Sequence, residues 1–98
     1  MALIVPRIVK WETGDAEVNE YRIYYEVSPA QPSYVSSYVS VSATVGEYDL
    51  KNLGVADGEY NLGLVAVDAA GNQSDIIAHP GNPFPLDFTA PANPVWIV

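Results

Sequence analysis

The chain has 98 residues, a mass of 10.6 kDa and no cysteine, with 12 acidic against 4 basic side chains and a formal net charge of -8. That is one domain's worth of chain, and the missing cysteines exclude disulfide scaffolds, thiolate zinc sites and cysteine nucleophiles. Four dispersed cations, Arg7, Lys10, Arg22 and Lys51, cannot form a phosphate-binding stripe, so nucleic acid and anionic membrane surfaces are not expected partners.

Hydrophobic residues make up 49% of the chain and charged ones 16%, with mean hydropathy +0.08, too apolar for disorder. Mass scaling gives a folded surface of about 5,500 Å² against about 15,400 Å² unfolded, enough burial for a modest core. No stretch reaches the length of a membrane-spanning helix. The opening Met1-Ala2-Leu3-Ile4-Val5 lacks the charged region and cleavage site of a signal peptide, so the chain reads as a mature domain or a piece of something longer.

In chain order, the first predicted strand is Leu3 to Trp11, rich in β-branched residues but interrupted by Pro6. Counting back from Trp11, Val9 and Arg7 face the core and Ile8 faces out; a bulge at Pro6 would repair the register. After Thr13-Gly14-Asp15, residues Tyr21, Ile23, Tyr25 and Val27 alternate with Arg22, Tyr24 and Glu26, the period of a half-buried strand. Ser28-Pro29-Ala30-Gln31-Pro32 breaks the chain before Val39, Val41 and Ala43 alternate with Ser40, Ser42 and Thr44. Tyr48 and Leu50 then alternate with Glu47, Asp49 and Lys51. Beyond Asp57-Gly58, residues Tyr60, Leu62, Leu64 and Ala66 share one face, and near-continuous apolar character from Leu62 to Val67 marks a central strand covered on one face and partly on the other. Ala70-Gly71-Asn72 is a turn. From Pro80 five prolines follow in quick succession up to Pro94, a composition that reads as an extended linker with an apolar tip, Val95 to Val98. Short strands separated by such turns specify an all-β, two-sheet antiparallel sandwich, or a barrel.

The ordered set Trp11, Tyr21-x-Ile23-x-Tyr25, Tyr48-x-Leu50-x-x-Leu53, Gly58, Tyr60-x-Leu62-x-Leu64-x-Ala66 and Gly71-Asn72-Gln73-Ser74 resembles a fibronectin type III domain, of the bacterial-type repeats. The resemblance covers Leu3 to Ser74. It implies an immunoglobulin-like β-sandwich with Trp11, Tyr21, Ile23, Tyr25, Tyr48, Leu50, Leu53, Tyr60, Leu62, Leu64 and Ala66 in the core and Gly58 and Gly71 at reversals, and it puts Tyr60 where a tyrosine corner would bond back to the preceding loop. The family's strand A is irregular or missing here. Ala90 to Val98 instead looks like the way a type III repeat begins, as if the chain ran from one strand B to the next strand A of a tandem array. The expected organisation is a domain over 1–86 and a Pro-rich linker or added strand over 87–98, with Val95 to Val98 adding to an exposed edge of the same or a neighbouring molecule, an edge-strand dimer in the second case.

Candidate sites are sparse. His79, the one histidine, lies in a Pro/Gly-rich segment and reads as an exposed loop residue. Asp68, Asn72 and Asp75 bracket a turn but fall short of calcium's oxygen count, so they read as a solvated turn. No spacing pairs two carboxylates in a pocket. The loop from Asp68 to Asp75 lacks the Arg-Gly-Asp adhesion motif of some relatives, and Asn72-Gln73-Ser74 is a glycosylation sequon. The exposed aromatics are the functional lead: Tyr24, pointing away from the core, with Tyr34, Tyr38 and Trp96 in edge or tail segments, could stack on sugars or anchor a protein. The expectation is a non-enzymatic module with no cofactor or metal, structural or binding, in a larger extracellular or cell-surface protein. Its partners would be neighbouring domains and, in the binding case, a glycan or protein.

Overall fold

The computed structural model describes residues 8–97. Among these residues, seven strands form two antiparallel sheets: β1 (Ile8–Lys10), β2 (Val18–Val27), β3 (Ser37–Ser42), β4 (Glu47–Asp49), β5 (Gly58–Asp68), β6 (Ile77–Ala78) and β7 (Phe84–Leu86). The all-β expectation holds. One sheet is the pair β1–β4, and the other runs β3–β2–β5–β6, with β7 joined to the start of β5.

The period-two pattern sets the faces. Tyr21 stands opposite Ala66, Ile23 opposite Leu64 and Tyr25 opposite Leu62 across β2 and β5, so the inward set of each strand meets the inward set of the other. Val9, Ile23, Val41, Leu50, Leu53, Tyr60, Leu62 and Leu86 form the first core, drawing on both sheets. Trp11, Tyr25, Tyr48 and Leu64 pack against it half-buried, Tyr21 is buried with its ring 5.8 Å from that of Trp11, and Ala66 is half-buried. On β1, Val9 turns inward and Ile8 outward, as counted from Trp11. The expected bulge at Pro6 and the inward Arg7 lie outside the described residues.

Three local expectations need correction. Leu50 is not on a strand: β4 stops at Asp49, whose carboxylate accepts the Lys51 N–H at 2.9 Å and starts a 3₁₀ turn over Leu50–Leu53. That turn ends at Gly54, whose φ of 71° requires glycine. Both of its leucines still reach the core, because a turn of three residues per cycle puts positions three apart on one side. Proline richness hid β7, which pairs Phe84 with Tyr60 and Leu86 with Gly58; Pro85 is tolerated because the strand lies at the edge. Between β6 and β7 the side chain of Asn82 stands in for a strand, donating to the Leu62 carbonyl at 2.9 Å and accepting from the Leu62 N–H at 3.0 Å.

The third correction concerns where the folded part ends. Phe88, inside the expected linker, packs against the first core. Asp57 accepts from the Phe88 N–H at 2.8 Å and from the Thr89 hydroxyl. From Ala90 to Ile97 every residue is exposed and none is in a strand, so Val95 to Ile97 do not add back to an edge of their own chain; Val98 lies outside the described residues. This exposed segment contributes to a surface of 6641 Å², larger than the mass alone predicts.

Tyr60 links the loop before β5 to the core. It is buried, and its hydroxyl donates to the Ala56 carbonyl at 2.7 Å, the bond the resemblance led one to expect. Tyr60→Phe keeps the ring and removes the donor; it should lower the unfolding free energy by about 0.5 to 1.5 kcal/mol, read by urea denaturation, with an unchanged native circular dichroism spectrum.

The Asp57 anchor gives a pH dependence. The Thr89 hydroxyl first, then the Phe88 amide, hold its carboxyl below the ordinary aspartate range. A depressed folded pKa means stabilisation present above the unfolded value and lost as pH falls through the folded one. Acidification below about pH 4 should therefore release Phe88 and Thr89 before the strands melt, followed by their amide NMR shifts. Asp57→Asn should remove that acid transition; an identical transition in the variant would contradict the assignment.

Candidate functional site

Along the middle of β2 and β5 the outward face is covered. Tyr24, Val65 and Val67 form a second buried cluster with Ile76 packed against it. The chain after β5 turns back to cover this face. Asp68 organises that reversal: its carboxylate accepts from the Ala70 N–H, the Asn72 N–H and the Asn72 side-chain amide, and Gly71 takes φ 88°. These bonds, Asn72's foremost, hold the Asp68 carboxyl below its ordinary range, so Asp68 is an engaged turn residue and not the merely solvated carboxylate its spacing suggested. Asp75 is exposed.

Gly63 makes the covering possible. It is buried opposite Tyr24, and a Cβ there would come within 2.3 Å of the Ile76 side chain. Pro32 closes over the same point from the β2–β3 loop. Tyr34 ties the two loops together by donating to the Ser74 carbonyl at 2.7 Å. Asn61, also buried, donates to the Ala30 carbonyl at 2.9 Å. A second apolar layer is thereby closed by loops where the sequence alone suggests a half-solvated face.

This corrects the expectation for Tyr24. It does point away from the first core, but it is only 1% exposed. Its ring lies 5.0 Å from that of Tyr38 and 6.2 Å from that of Tyr34, so three of the four singled-out aromatics do meet. Tyr34 and Tyr38 remain 49% and 43% exposed and form the accessible rim. Trp96 stands apart in the exposed 90–97 segment and joins none of these ring contacts.

A polar chain finishes the cluster. Arg22 donates to the Tyr24 hydroxyl at 3.3 Å, which donates in turn to the Gln73 side-chain oxygen at 2.6 Å. The Arg22 Nε also bonds Glu20 at 2.7 Å, and the guanidinium carbon sits 4.5 Å from the Tyr38 ring centre, within cation–π range. Tyr24 and then Glu20 raise the Arg22 pKa further above its already high ordinary value, so Arg22 stays cationic. Arg22 was legible in the alternation, two residues from Tyr24 on the same face; Gln73, Ile76 and Pro32 were not, since they arrive from loops.

The surface so built offers two tyrosine rims, one fixed cation and the 94% exposed Val35. It lies beside β3, an edge strand within a stretch, 28–46, that carries no charge. Such an arrangement can stack on a flat ring or take an extended chain at the edge.

His79 is not the free loop residue it reads as. It is half-buried against Phe84, with ring centres 4.6 Å apart, and its Nδ1 accepts the Gly81 N–H at 2.8 Å. Burial lowers its pKa, in keeping with a neutral ring that uses one nitrogen as an acceptor. Comparison with family models, with curated proteins and with solved structures finds no match to this chain.

The cluster makes a differential prediction. Tyr24→Ala opens a hole in the closed layer and should cost about 3 to 5 kcal/mol, while Tyr38→Ala at the rim should cost about 1 kcal/mol or less. Thermal and urea unfolding of the two variants would measure it; equal, small losses would mean the face is open.

Proposed function

We propose that the chain is a fibronectin type III-like module, a non-catalytic structural spacer or interaction unit of a larger secreted or cell-surface protein. The observation that carries this reading is the strand pairing. Lettered as the resemblance implies, β1 to β5 are strands B, C, C′, E and F, and β6 with β7 takes the place of G. The pairs B–E, C–F and F–G are those of immunoglobulin-like sandwiches. The Tyr60 hydroxyl bond to the loop before strand F supports the same reading.

A non-catalytic role is supported by how the reactive side chains are used. Asp57 and Asp68 bind backbone amides, and His79 accepts one. Each is committed to holding a turn. The exposed Pro-containing segment 90–97 suits a connection to a neighbouring domain.

A second reading is favoured by one observation, the accessible rim of Tyr34 and Tyr38 beside Arg22. On it the module binds a glycan or a protein through that face or through edge strand β3. Retardation on polysaccharide affinity gels, lost in Tyr34→Ala and Tyr38→Ala, would favour this binder; mobility that no polysaccharide alters would leave the spacer in place.

The main reading is tested by immunoblotting fractions of the source cells with antibody to this domain. A band far above 10.6 kDa in the envelope or medium is expected. A soluble intracellular band at the chain's own mass would overturn it.

A further inference from the structure

Strands β1 and β6 each have a partner on one side only, β4 and β5 respectively, among the described residues. Between them opens a cleft of about 230 Å³ whose walls include Val9, Trp11, Ile23, Leu64, Ile77 and Ala78. It is smaller than a pocket for a drug-sized ligand and suits one large apolar side chain with its flanking backbone. The Trp11 indole nitrogen in this wall is buried with no hydrogen-bond partner among the described residues. The lining holds Lys10 and no carboxylate, which is notable in a chain of net charge -8.

The same molecule carries an apolar segment with nothing to cover it. Val95, Trp96 and Ile97 are 88%, 92% and 97% exposed, contiguous, and set in a stretch, 90–97, that contains no charged side chain. A run of this kind marks an interaction site more often than isolated surface apolar residues do. Pro91 and Pro94 keep the segment extended, and the molecule measures 64 Å in its longest dimension against 27 and 20 Å in the others. Thr89, where the segment departs, is held at Asp57, ahead of β5, whereas the cleft lies at Leu62 to Leu64 farther along that strand. Exposed from Ala90 to Ile97, the segment does not enter the cleft of its own chain.

We infer that Pro94 to Ile97 of one copy docks as a strand along the free edge of β1 in a second copy, with Trp96 in the cleft between β1 and β6. Charge selects this contact. Two copies of so acidic a chain repel one another over much of their surfaces, and the cleft and the segment, like the uncharged stretch 28–46, bring no carboxylate to a contact. Main-chain pairing along the β1 edge supplies affinity and the cleft supplies side-chain selection. Each copy has one segment and one cleft, so the contact is head-to-tail and either closes reciprocally in a pair or propagates. The inference does not rest on the spacer reading: the chain's own association tests it whatever its tethering.

The test is sedimentation velocity on the full chain, from about 10 μM to about 1 mM, the range in which weak contacts titrate. The weight-average mass should rise with concentration above 10.6 kDa. Trp96→Ser and Ile77→Asp should each weaken that association at least tenfold, with unchanged circular dichroism and melting temperature, since the two residues are 92% and 63% exposed. Trp96 fluorescence, taken as the difference between the parent and Trp96→Ser, should shift to the blue as concentration rises. A monomer throughout the range overturns the inference, as does association that survives both substitutions. A blue shift independent of concentration places Trp96 in its own chain's cleft and overturns it too. So do nuclear Overhauser contacts between residues 1–7 and Ile77 within one chain, which would mean that segment already fills the cleft.

Discussion

The ladder between β2 and β5 is the constraint on which the rest of the structure depends. It joins the two longest strands over most of their length, from Val27 against Tyr60 to Glu20 against Val67. Both of its faces are buried, Tyr60 and Leu62 on one side and Asn61, Gly63, Val65 and Val67 on the other. A one-residue slip would send Ile23 into the second cluster and Tyr24 into the first core. Neither site fits the exchange, because Tyr24 needs the hydroxyl partners Arg22 and Gln73, while Ile76 needs the space that Gly63 leaves empty. Register is therefore fixed twice, once on each face.

Everything else attaches to that pair. The β1–β4 sheet closes the first core, and the loops carrying Pro32, Tyr34 and Ile76 close the second. The β6 and β7 segments, Asn82 and residues 72–74 take up hydrogen bonds along the outer edge of β5. Closing the second face has a functional consequence: a sheet face buried by its own loops cannot serve as a broad binding platform. Among the described residues, the surfaces open to partners are the tyrosine rim, the edge strands with the cleft between β1 and β6, and the exposed 90–97 segment.

Much of the fold was legible because it follows from alternation. The inward set Tyr21, Ile23, Tyr25, Tyr60, Leu62 and Leu64 and the outward turn of Ile8 need only a period of two and a count from Trp11. The central position of β5 could be read from its continuous apolar run. What escaped depends on contacts between distant segments. Tyr24 looked exposed because alternation states which way a side chain points, not whether a loop lies over it. The ladder positions of Phe84 and Leu86 were hidden by neighbouring prolines, which an edge strand tolerates. Leu50 kept its burial while leaving the strand, since the Asp49 cap winds the chain into a 3₁₀ turn that still delivers it inward. His79 and Asp68 read as free polar residues because their partners are backbone amides and, for Asp68, the Asn72 side chain as well, contacts that composition does not reveal. The aromatic site was partly legible: Tyr34 and Tyr38 keep exposed rims, Tyr24 beneath them does not, and Trp96 belongs to a different surface.

Native-state hydrogen exchange resolved by residue tests the primacy of the β2–β5 ladder most directly. The account predicts that the amides of residues 21–25 and 60–66 exchange slowest, and only through global unfolding. The β6 amides and those of residues 90–97 should exchange much faster. Slowest exchange in the β1–β4 pair, or exchange of β2 and β5 through separate local openings, would contradict it.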